Sequence, residues 1–424
     1  MPGPITPALG RHFGLEVGAS FGSLTSAYPL GMLAGLFLWP QLSDHIGRKP
    51  VIAASLIGSG LGLGAQSMVI SRNGSLGLFL VTRVLTGCFA GSSPVSKAYL
   101  ADLGYKDGKL PKYLALRDAA STMAFIIGPL LGGVVYDLRR RLLGLTENDM
   151  VRSEVMKLAG NSLAFVIAVS AAASLMAGVL VAGFVRELPP KKSKKKTEAS
   201  SPEVDEIDDE DALMVACPLG RKMWTGVAAV CIVSFLFNVG DSTFHAFFSA
   251  LLRDRAGLDA KDIGLIYALL ACVSFSVSAT SSSAALKRFG PVATCAAGMS
   301  CIGSGLLTLG LAASGSIAAI QPHMFAVLAG AAALYYCGVP LYGPTIPTML
   351  LRCVPSYRRG AIMGLDGAIN TIARVISPLV MGEVYRRYGA SRAFGAAGIA
   401  VFGGAFVALY RRFVVLRDTK TNVP

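Results

Sequence analysis

Asp241 and His245 are the two residues whose types and spacing most directly suggest chemistry. They lie four positions apart inside an apolar segment, so a helix places them on one face. Desolvation favours the neutral form of a carboxylate, and an imidazole gains and loses a proton near neutral pH. The pair is therefore suited to relaying protons. The alternative interpretation is a pair at the outer end of its helix, in contact with water.

Three further polar residues, Asp366, Asn370 and Arg374, recur every four positions in another apolar segment. A charged side chain at the centre of a membrane helix costs at least ~2.5 kcal/mol, so we expect this stripe to face a cavity rather than lipid. Arg374 can bind an anionic group there or pair with a carboxylate such as Asp241. The stripe is therefore predicted to line a solute pathway.

Three more charged residues lie within or at the ends of apolar segments. Arg83 is about 10 Å into its segment, since each helical residue adds about 1.5 Å. At that depth it has either a role in transport or a structural role, in which it donates hydrogen bonds to neighbouring carbonyl groups. Arg117 and Asp118 lie near the inner end of theirs. We predict that this second pair belongs to an inner gate network rather than to a substrate site.

The segments that carry these residues define the class of protein. The chain has 424 residues, of which 53% are hydrophobic and 15% charged, whereas soluble domains carry about 25% charged residues. Apolar runs of roughly 20 residues recur along the sequence, as membrane-spanning helices require. We predict an all-α, multi-pass integral membrane protein with eleven spans, at residues 19–42, 51–70, 76–100, 113–136, 161–185, 223–252, 262–286, 292–313, 322–351, 360–385 and 392–413.

A charged segment divides these spans into two groups. We predict an N-terminal transmembrane bundle at residues 1–185, a disordered cytoplasmic linker at 186–222, a C-terminal bundle at 223–416 and a cytoplasmic tail at 417–424. With the linker in the cytoplasm, 22 of the 39 Lys and Arg residues lie in cytoplasmic segments and 13 on the other side. This bias follows the positive-inside rule. Because the positive charge is spread between the spans, nucleic acid is excluded as a partner.

An internal repeat indicates that the two bundles are related. An ungapped alignment of residues 116–136 with 365–385 gives ten identities in 21 positions. Pro129 aligns with Pro378, and Gly133 aligns with Gly382. Repeated halves are typical of secondary transporters, in which the substrate site lies between the repeats near mid-membrane.

Short motifs resemble those of the major facilitator superfamily. The segment from Leu42 to Pro50, with Asp44, Gly47, Arg48 and Lys49, resembles the family's loop between helices 2 and 3. Arg83-Val84-Leu85-Thr86-Gly87 resembles its helix 4 pattern, and Ala98-Tyr99-Leu100-Ala101-Asp102 is close to the drug–proton antiporter branch that includes tetracycline exporters. The antiporter signature of helix 5 is similar to the run that contains Gly128, Pro129, Gly132 and Gly133.

The resemblance implies a fold and several roles. It implies two pseudo-symmetric bundles, a proton-coupling role for Arg83, and charge contacts of Asp44 that latch the outward-facing state. The family has twelve helices, and the first of them is apparently missing here. Either the natural start lies upstream, or the N-terminus is outside and the protein has eleven helices.

The predicted function is alternating-access transport of a small organic solute by a secondary active transporter, with protons as coupling ion in antiport or efflux. A facilitative uniporter, a symporter and a non-transporting receptor or scaffold are the alternatives. The sequence has no phosphate loop, nucleophile elbow or metal-binding cluster, so we expect neither an enzyme nor a cofactor or metal. The family implies a monomer in the lipid bilayer, either in the plasma membrane or in an internal membrane such as that of the vacuole.

Overall fold

The computed structural model describes residues 2–107, 110–143, 153–187, 221–315, 323–354 and 359–421. The predicted linker lies almost wholly outside these residues. Within them the chain forms helices and no strand. The helices are α1 (Pro2–His12), α2 (Ala19–Ile46), α3 (Arg48–Ser71), α4 (Leu76–Ala90), α5 (Ser93–Asp107), α6 (Leu110–Leu142), α7 (Ser153–Phe184), α8 (Arg221–Ala256), α9 (Ala260–Val277), α10 (Ser283–Ser314), α11 (Met324–Tyr342), α12 (Thr345–Cys353) and α13 (Arg359–Thr421), with a π-helical turn at Ser278–Ser282 between α9 and α10.

Eight segments of the described chain are long and apolar enough to cross a membrane. Two of them, at 260–314 and 362–410, have the length of two spans each. Each contains a glycine with a positive φ, Gly290 at 77° and Gly389 at 85°, where the chain turns back. An integral, multi-pass membrane protein is therefore confirmed. The count of eleven spans stays a prediction, as do the limits of the two bundles.

The structure adds a helix at the N-terminus that the sequence analysis did not predict. Residues 2–12 contain several Pro and Gly residues and lie outside the eleven predicted spans, yet they form α1. Ile5, Ala8 and Leu9 of α1 are buried, so packing overrides the weak helix propensity of this segment. Eleven residues span about 16 Å, which is about half of a bilayer core.

The two halves, α1–α7 and α8–α13, meet at two helix crossings that repeat each other. In the first, Gly133 of α6 faces the start of α9, where a Cβ added to the glycine would lie 2.6 Å from the Ala260 carbonyl oxygen. Gly264 of α9 faces the carbonyl oxygen of Pro129, 2.8 Å from an added Cβ. Contacts this short leave room for no side chain.

The second crossing joins α2 to α13 through the equivalent residues of the repeat. A Cβ on Gly382 would overlap the carbonyl oxygen of Gly18, and a Cβ on Gly22 would overlap that of Pro378. Gly382 and Pro378 are the residues that align with Gly133 and Pro129 in the sequence repeat. The repeat therefore reflects one packing arrangement used twice.

Both crossings lie toward the outer face, which is the membrane face opposite the loop at residues 42–50. Close to them Arg140 of α6 donates a hydrogen bond to Asp259 at the start of α9, with 3.1 Å between Nη2 and Oδ2. Phe21 of α2 stacks on Phe247 of α8, with 6.1 Å between the ring centroids. The inner part of α2 instead packs within its own half, where Gly31 and Gly35 face α4. The described conformation is thus closed at the outer face.

Replacing Gly22 by Val tests the crossing of α2 and α13. We expect the variant to be less stable by about 1–3 kcal/mol, because an added side chain forces closely packed backbones apart. The control is Gly64→Val in α3, where an added Cβ meets nothing within 4 Å. Thermal unfolding of the purified proteins in detergent measures the difference, and equal unfolding temperatures for the two variants would contradict the described crossing.

Candidate functional site

Asp241 of α8 lies between a phenol and an imidazole. Tyr335 of α11 donates its hydroxyl hydrogen bond to Asp241 Oδ1 at 2.7 Å. His245 Nε2 is 3.6 Å from the same oxygen, and its side chain is 48% exposed whereas that of Asp241 is 16% exposed. The helical spacing therefore places the two predicted residues together, with the imidazole on the more open side.

Aromatic rings hold this group in place. Phe244 of α8 stacks almost parallel on Tyr335, with 4.1 Å between ring centroids and 6° between the planes. Phe248, one turn further along, stacks on Phe244 at 4.4 Å. All three rings are fully buried, so the Tyr335 hydroxyl has little freedom to leave the carboxylate.

The stripe on α13 joins α8 through side-chain amides. Asn370 Nδ2 donates to Asp366 Oδ2 at 3.0 Å, and Asn370 Oδ1 accepts from Ser234 at 2.7 Å and from Asn238 at 3.0 Å. Arg374 Nε donates to Asn238 Oδ1 at 2.9 Å. A continuous set of hydrogen bonds thus connects the predicted stripe to two polar residues of α8.

The structure does not pair Arg374 with Asp241, the pairing that the sequence offered as one possibility. No ion pair among the described residues joins them. Arg374 instead donates to the Asn238 amide, and Asp241 accepts from the Tyr335 hydroxyl. Asp366 is 8% exposed, and its Oδ1 is buried without a hydrogen-bond partner in the described part of the chain. This carboxylate oxygen is the one acceptor of the network left unsatisfied.

Arg83 lies apart from this network, in the N-terminal half. It lines a cavity of about 420 Å³ between α1, α2, α3, α4 and α7. Its Nε is buried and has no hydrogen-bond partner among the described residues. The sequence alternative of bonds to neighbouring carbonyl groups therefore does not apply to this nitrogen.

The inner loop is held by a residue that the sequence did not single out. The backbone N–H of Arg48 donates to Glu187 Oε1 at 3.1 Å, and Gly47 lies directly beside the same carboxylate. Lys49 is half-buried, while Asp44 is exposed, with no hydrogen bond or ion pair to any described residue. Glu187 follows α7 directly, so the loop is tied to the end of its own half.

The other predicted residues are placed as follows. Gly132 is buried and precedes Gly133 in the chain, whereas a Cβ added to Gly128 would meet nothing within 4 Å. Arg117 Nη2 donates to Ser93 Oγ at 3.1 Å, which links the inner part of α6 to the first residue of α5. The side chain of Asp118 lies outside the described residues. The predicted gate role of these groups stays a prediction.

Several contributing residues escaped the sequence analysis, chiefly Ser234, Asn238, Glu187 and the Arg140–Asp259 pair. Asn238 and Ser234 are four residues apart on α8, the helical spacing that marked the stripe on α13. That spacing was the available signal. Nothing in the sequence signals Glu187 or the contact between Arg140 and Asp259, because their partners are more than a hundred residues away.

Two related helical halves that enclose buried polar groups are typical of secondary transporters. The profile of the Major Facilitator Superfamily matches residues 1–333. The chain belongs to this family of secondary transporters, as the motifs predicted.

Relatives agree with this assignment. The class C tetracycline resistance protein of Escherichia coli is 25% identical over 389 residues, which cover 90% of this chain and 84% of that protein. A D-xylose–proton symporter structure superposes with a TM-score of 0.69 at 14% identity, covering 96% of this chain and 92% of that one. The human organic anion transporter MFSD10 (TETRAN) gives 0.59 at 20% identity, covering 95% and 88%. At these identities the two structures show the fold alone.

Replacing Asn238 by Leu tests the network between α8 and α13. We expect a loss of stability of about 2 kcal/mol or more, because the variant loses a hydrogen bond to the charged Arg374, worth about 1.5–3 kcal/mol, and one to Asn370 Oδ1, worth about 0.5–1.5 kcal/mol. The matched variant is Tyr342→Phe, which removes only a 3.4 Å contact with Ser234 Oγ and should cost about 1 kcal/mol or less. Thermal unfolding in detergent compares the two, and a smaller loss for Asn238→Leu than for Tyr342→Phe would refute the network.

Proposed function

We propose that the protein is a proton-coupled antiporter that exports a small organic solute by alternating access. The observation that carries the proposal is the position of Asp241, whose Oδ1 faces both the Tyr335 hydroxyl and the His245 imidazole. Ionisable groups are rare inside membrane helices, and they mark proton relays and ion pathways. Here two of them are in contact.

The arrangement suits proton exchange between a buried and an accessible group. His245 is the more exposed partner, and its 3.6 Å separation from Asp241 allows transfer by a small approach or through one water. Imidazole changes its charge near physiological pH, so it can pass protons in either direction. Asp241 in turn changes charge at a position where the Tyr335 hydroxyl donates a hydrogen bond to it.

The neighbouring network supports a link between this charge and the solute pathway. Asp241 and Asn238 are on the same helix, and Asn238 joins Arg374 to Asn370. A movement of α8 that follows protonation would therefore reach α13 through hydrogen bonds. In the family, the site between the halves opens to one side at a time.

The similarity to tetracycline resistance proteins supports export rather than uptake. The proposal takes from these relatives only the class of an organic solute that is moved out. Protons are the coupling ion that the Asp241 site supports.

The test is proton movement in proteoliposomes that contain a pH-sensitive dye and are challenged with a panel of organic solutes. We expect solute-triggered proton flux in the direction opposite to the solute, and a loss of at least about tenfold in Asp241→Asn, because the amide cannot carry the proton. The control is Asp262→Asn, which alters an exposed carboxylate in the first turn of α9. This variant should retain the flux.

Three results would count against the proposal. Flux of protons and solute in the same direction would identify a symporter, and solute movement without proton flux would identify a uniporter. Undiminished flux in Asp241→Asn would show that another group carries the proton.

A further inference from the structure

Asp366 of α13 is a buried carboxyl group with one unpaired oxygen atom. The residue is 8% exposed, and its Oδ2 accepts a hydrogen bond from Asn370 Nδ2 at 3.0 Å. Its Oδ1 is closed to solvent and has no hydrogen-bond partner among the described residues. Nearly all buried polar atoms in proteins are paired, so this exception requires a physical explanation.

The side chains beside this carboxyl group carry no positive charge. Ser234 of α8 and Asn370 of α13 lie against it. The titratable side chains close to it are Cys231 of α8 and Tyr342 of α11. A thiol and a phenol are both uncharged at neutral pH, as are a hydroxyl and an amide. The surroundings of Asp366 therefore offer polar groups but no cation.

The arginine on the same helix forms no ion pair with Asp366. Arg374 is eight residues further along α13, which is about 12 Å along the helix axis. Its Nε donates to Asn238 Oδ1 at 2.9 Å. Within the described part of the chain, the side chains that hydrogen-bond to Asp366 are neutral. An ionised carboxylate at this position would thus be a buried charge without a counter-ion.

A neutral carboxylic acid fits these surroundings better than a carboxylate. An isolated buried charge costs far more free energy than a buried neutral group, so a carboxyl group in such a place takes up a proton. A proton on Oδ1 also turns an unpaired acceptor into a donor. The Ser234 hydroxyl donates to Asn370 Oδ1 at 2.7 Å and keeps the capacity to accept a hydrogen bond. A small rotation of the acid would therefore pair Oδ1 with Ser234.

We propose that Asp366 is a second proton-binding group of the transporter and that it holds its proton in the described conformation, which is closed at the outer face. The inference rests on the proposed function, because it adds a second carboxyl group to the proton coupling assigned to Asp241. The two sites differ in access. Asp241 is in contact with the half-exposed imidazole of His245, whereas Asp366 is enclosed by neutral side chains.

The proton on Asp366 bears on the contact between α8 and α13. Asn370 donates to Asp366 and accepts from Ser234 and Asn238, so it joins the carboxyl group to α8. Loss of the proton would leave a negative charge in a site closed to water. Such a charge is stable only when water or a cation reaches it. The proton is therefore released in a different conformation, in which Asp366 is accessible.

The test is the infrared spectrum of the purified full chain at neutral pH, in a detergent without ester groups and without any solute. The carbonyl stretching band of a protonated carboxylic acid is separate from the bands of carboxylates and amides. Exposed Asp and Glu residues do not contribute to it, because they are ionised at neutral pH. We expect the wild-type protein to show this band, Asp366→Asn to lose it, and Asp366→Glu to restore it.

Two controls separate the proton from a structural effect. Asp241→Asn removes the other carboxyl group of the proposed proton pathway and should keep the band that Asp366→Asn loses. Asparagine resembles the neutral acid in shape and charge, so Asp366→Asn should keep the unfolding temperature of the wild-type protein. In the proteoliposome assay the same variant should move fewer protons per solute molecule, by about half, because one of two proton-binding groups is missing.

An absent band in the wild-type protein, or a band that persists in Asp366→Asn, overturns the inference. An unchanged ratio of protons to solute in Asp366→Asn also overturns it, because the proton on Asp366 would then not be transported. Proton flux that depends on Asp241 would still stand in these cases, so the proposed function would survive. If the band is lost in Asp366→Asn but no solute drives proton flux, the protonated carboxyl group stands and the antiport mechanism fails.

Discussion

Membrane helices gain little by hiding apolar surface from one another, because lipid tails are as apolar as their side chains, and they associate instead through close contact. In this protein the close contacts between the halves are made by glycines against main-chain carbonyl oxygens. Gly133 and Gly264 do so at the α6–α9 crossing, and Gly22 and Gly382 at the α2–α13 crossing. Because α13 carries the polar stripe and α6 carries Arg140, these crossings also set where the charged groups of one half stand relative to the other.

The halves share a packing arrangement, but their intramembrane arginines have different surroundings. The repeat aligns Arg374 with Phe125 and Asp366 with Arg117, so the network of α8 and α13 has no copy in the N-terminal half. In the C-terminal half the side-chain amide of Asn238 accepts a hydrogen bond from Arg374 Nε. In the N-terminal half Arg83 Nε is left without such a partner in the described structure. The helix packing of the two halves is therefore similar, whereas their intramembrane polar groups differ.

Much of the fold could be predicted because segments that cross a bilayer must be apolar and about 20 residues long. Apolar runs of span length give the helices, and the shared register of Pro129 with Pro378 reveals the repeat before any contact is known. The short helix α1 could not be predicted from Pro-rich and Gly-rich residues, because burial of Ile5 and Leu9 between other helices stabilises it. The four-residue spacing within one helix predicted that Asp241 and His245 lie together. It could not find the bond between Asn238 and Asn370, because 132 residues separate them.

Closure at the outer face must be reversible if the halves are to alternate. The Arg140–Asp259 pair is partly exposed, with side chains 13% and 32% accessible, and pairs near the surface contribute about 0–1 kcal/mol. The ion pair alone therefore holds the halves together only weakly, and the glycine contacts must supply most of the closure. Because both crossings lie toward the outer face, a single rotation of one half against the other would separate α6 from α9 and α2 from α13. Both crossings would then open in one step.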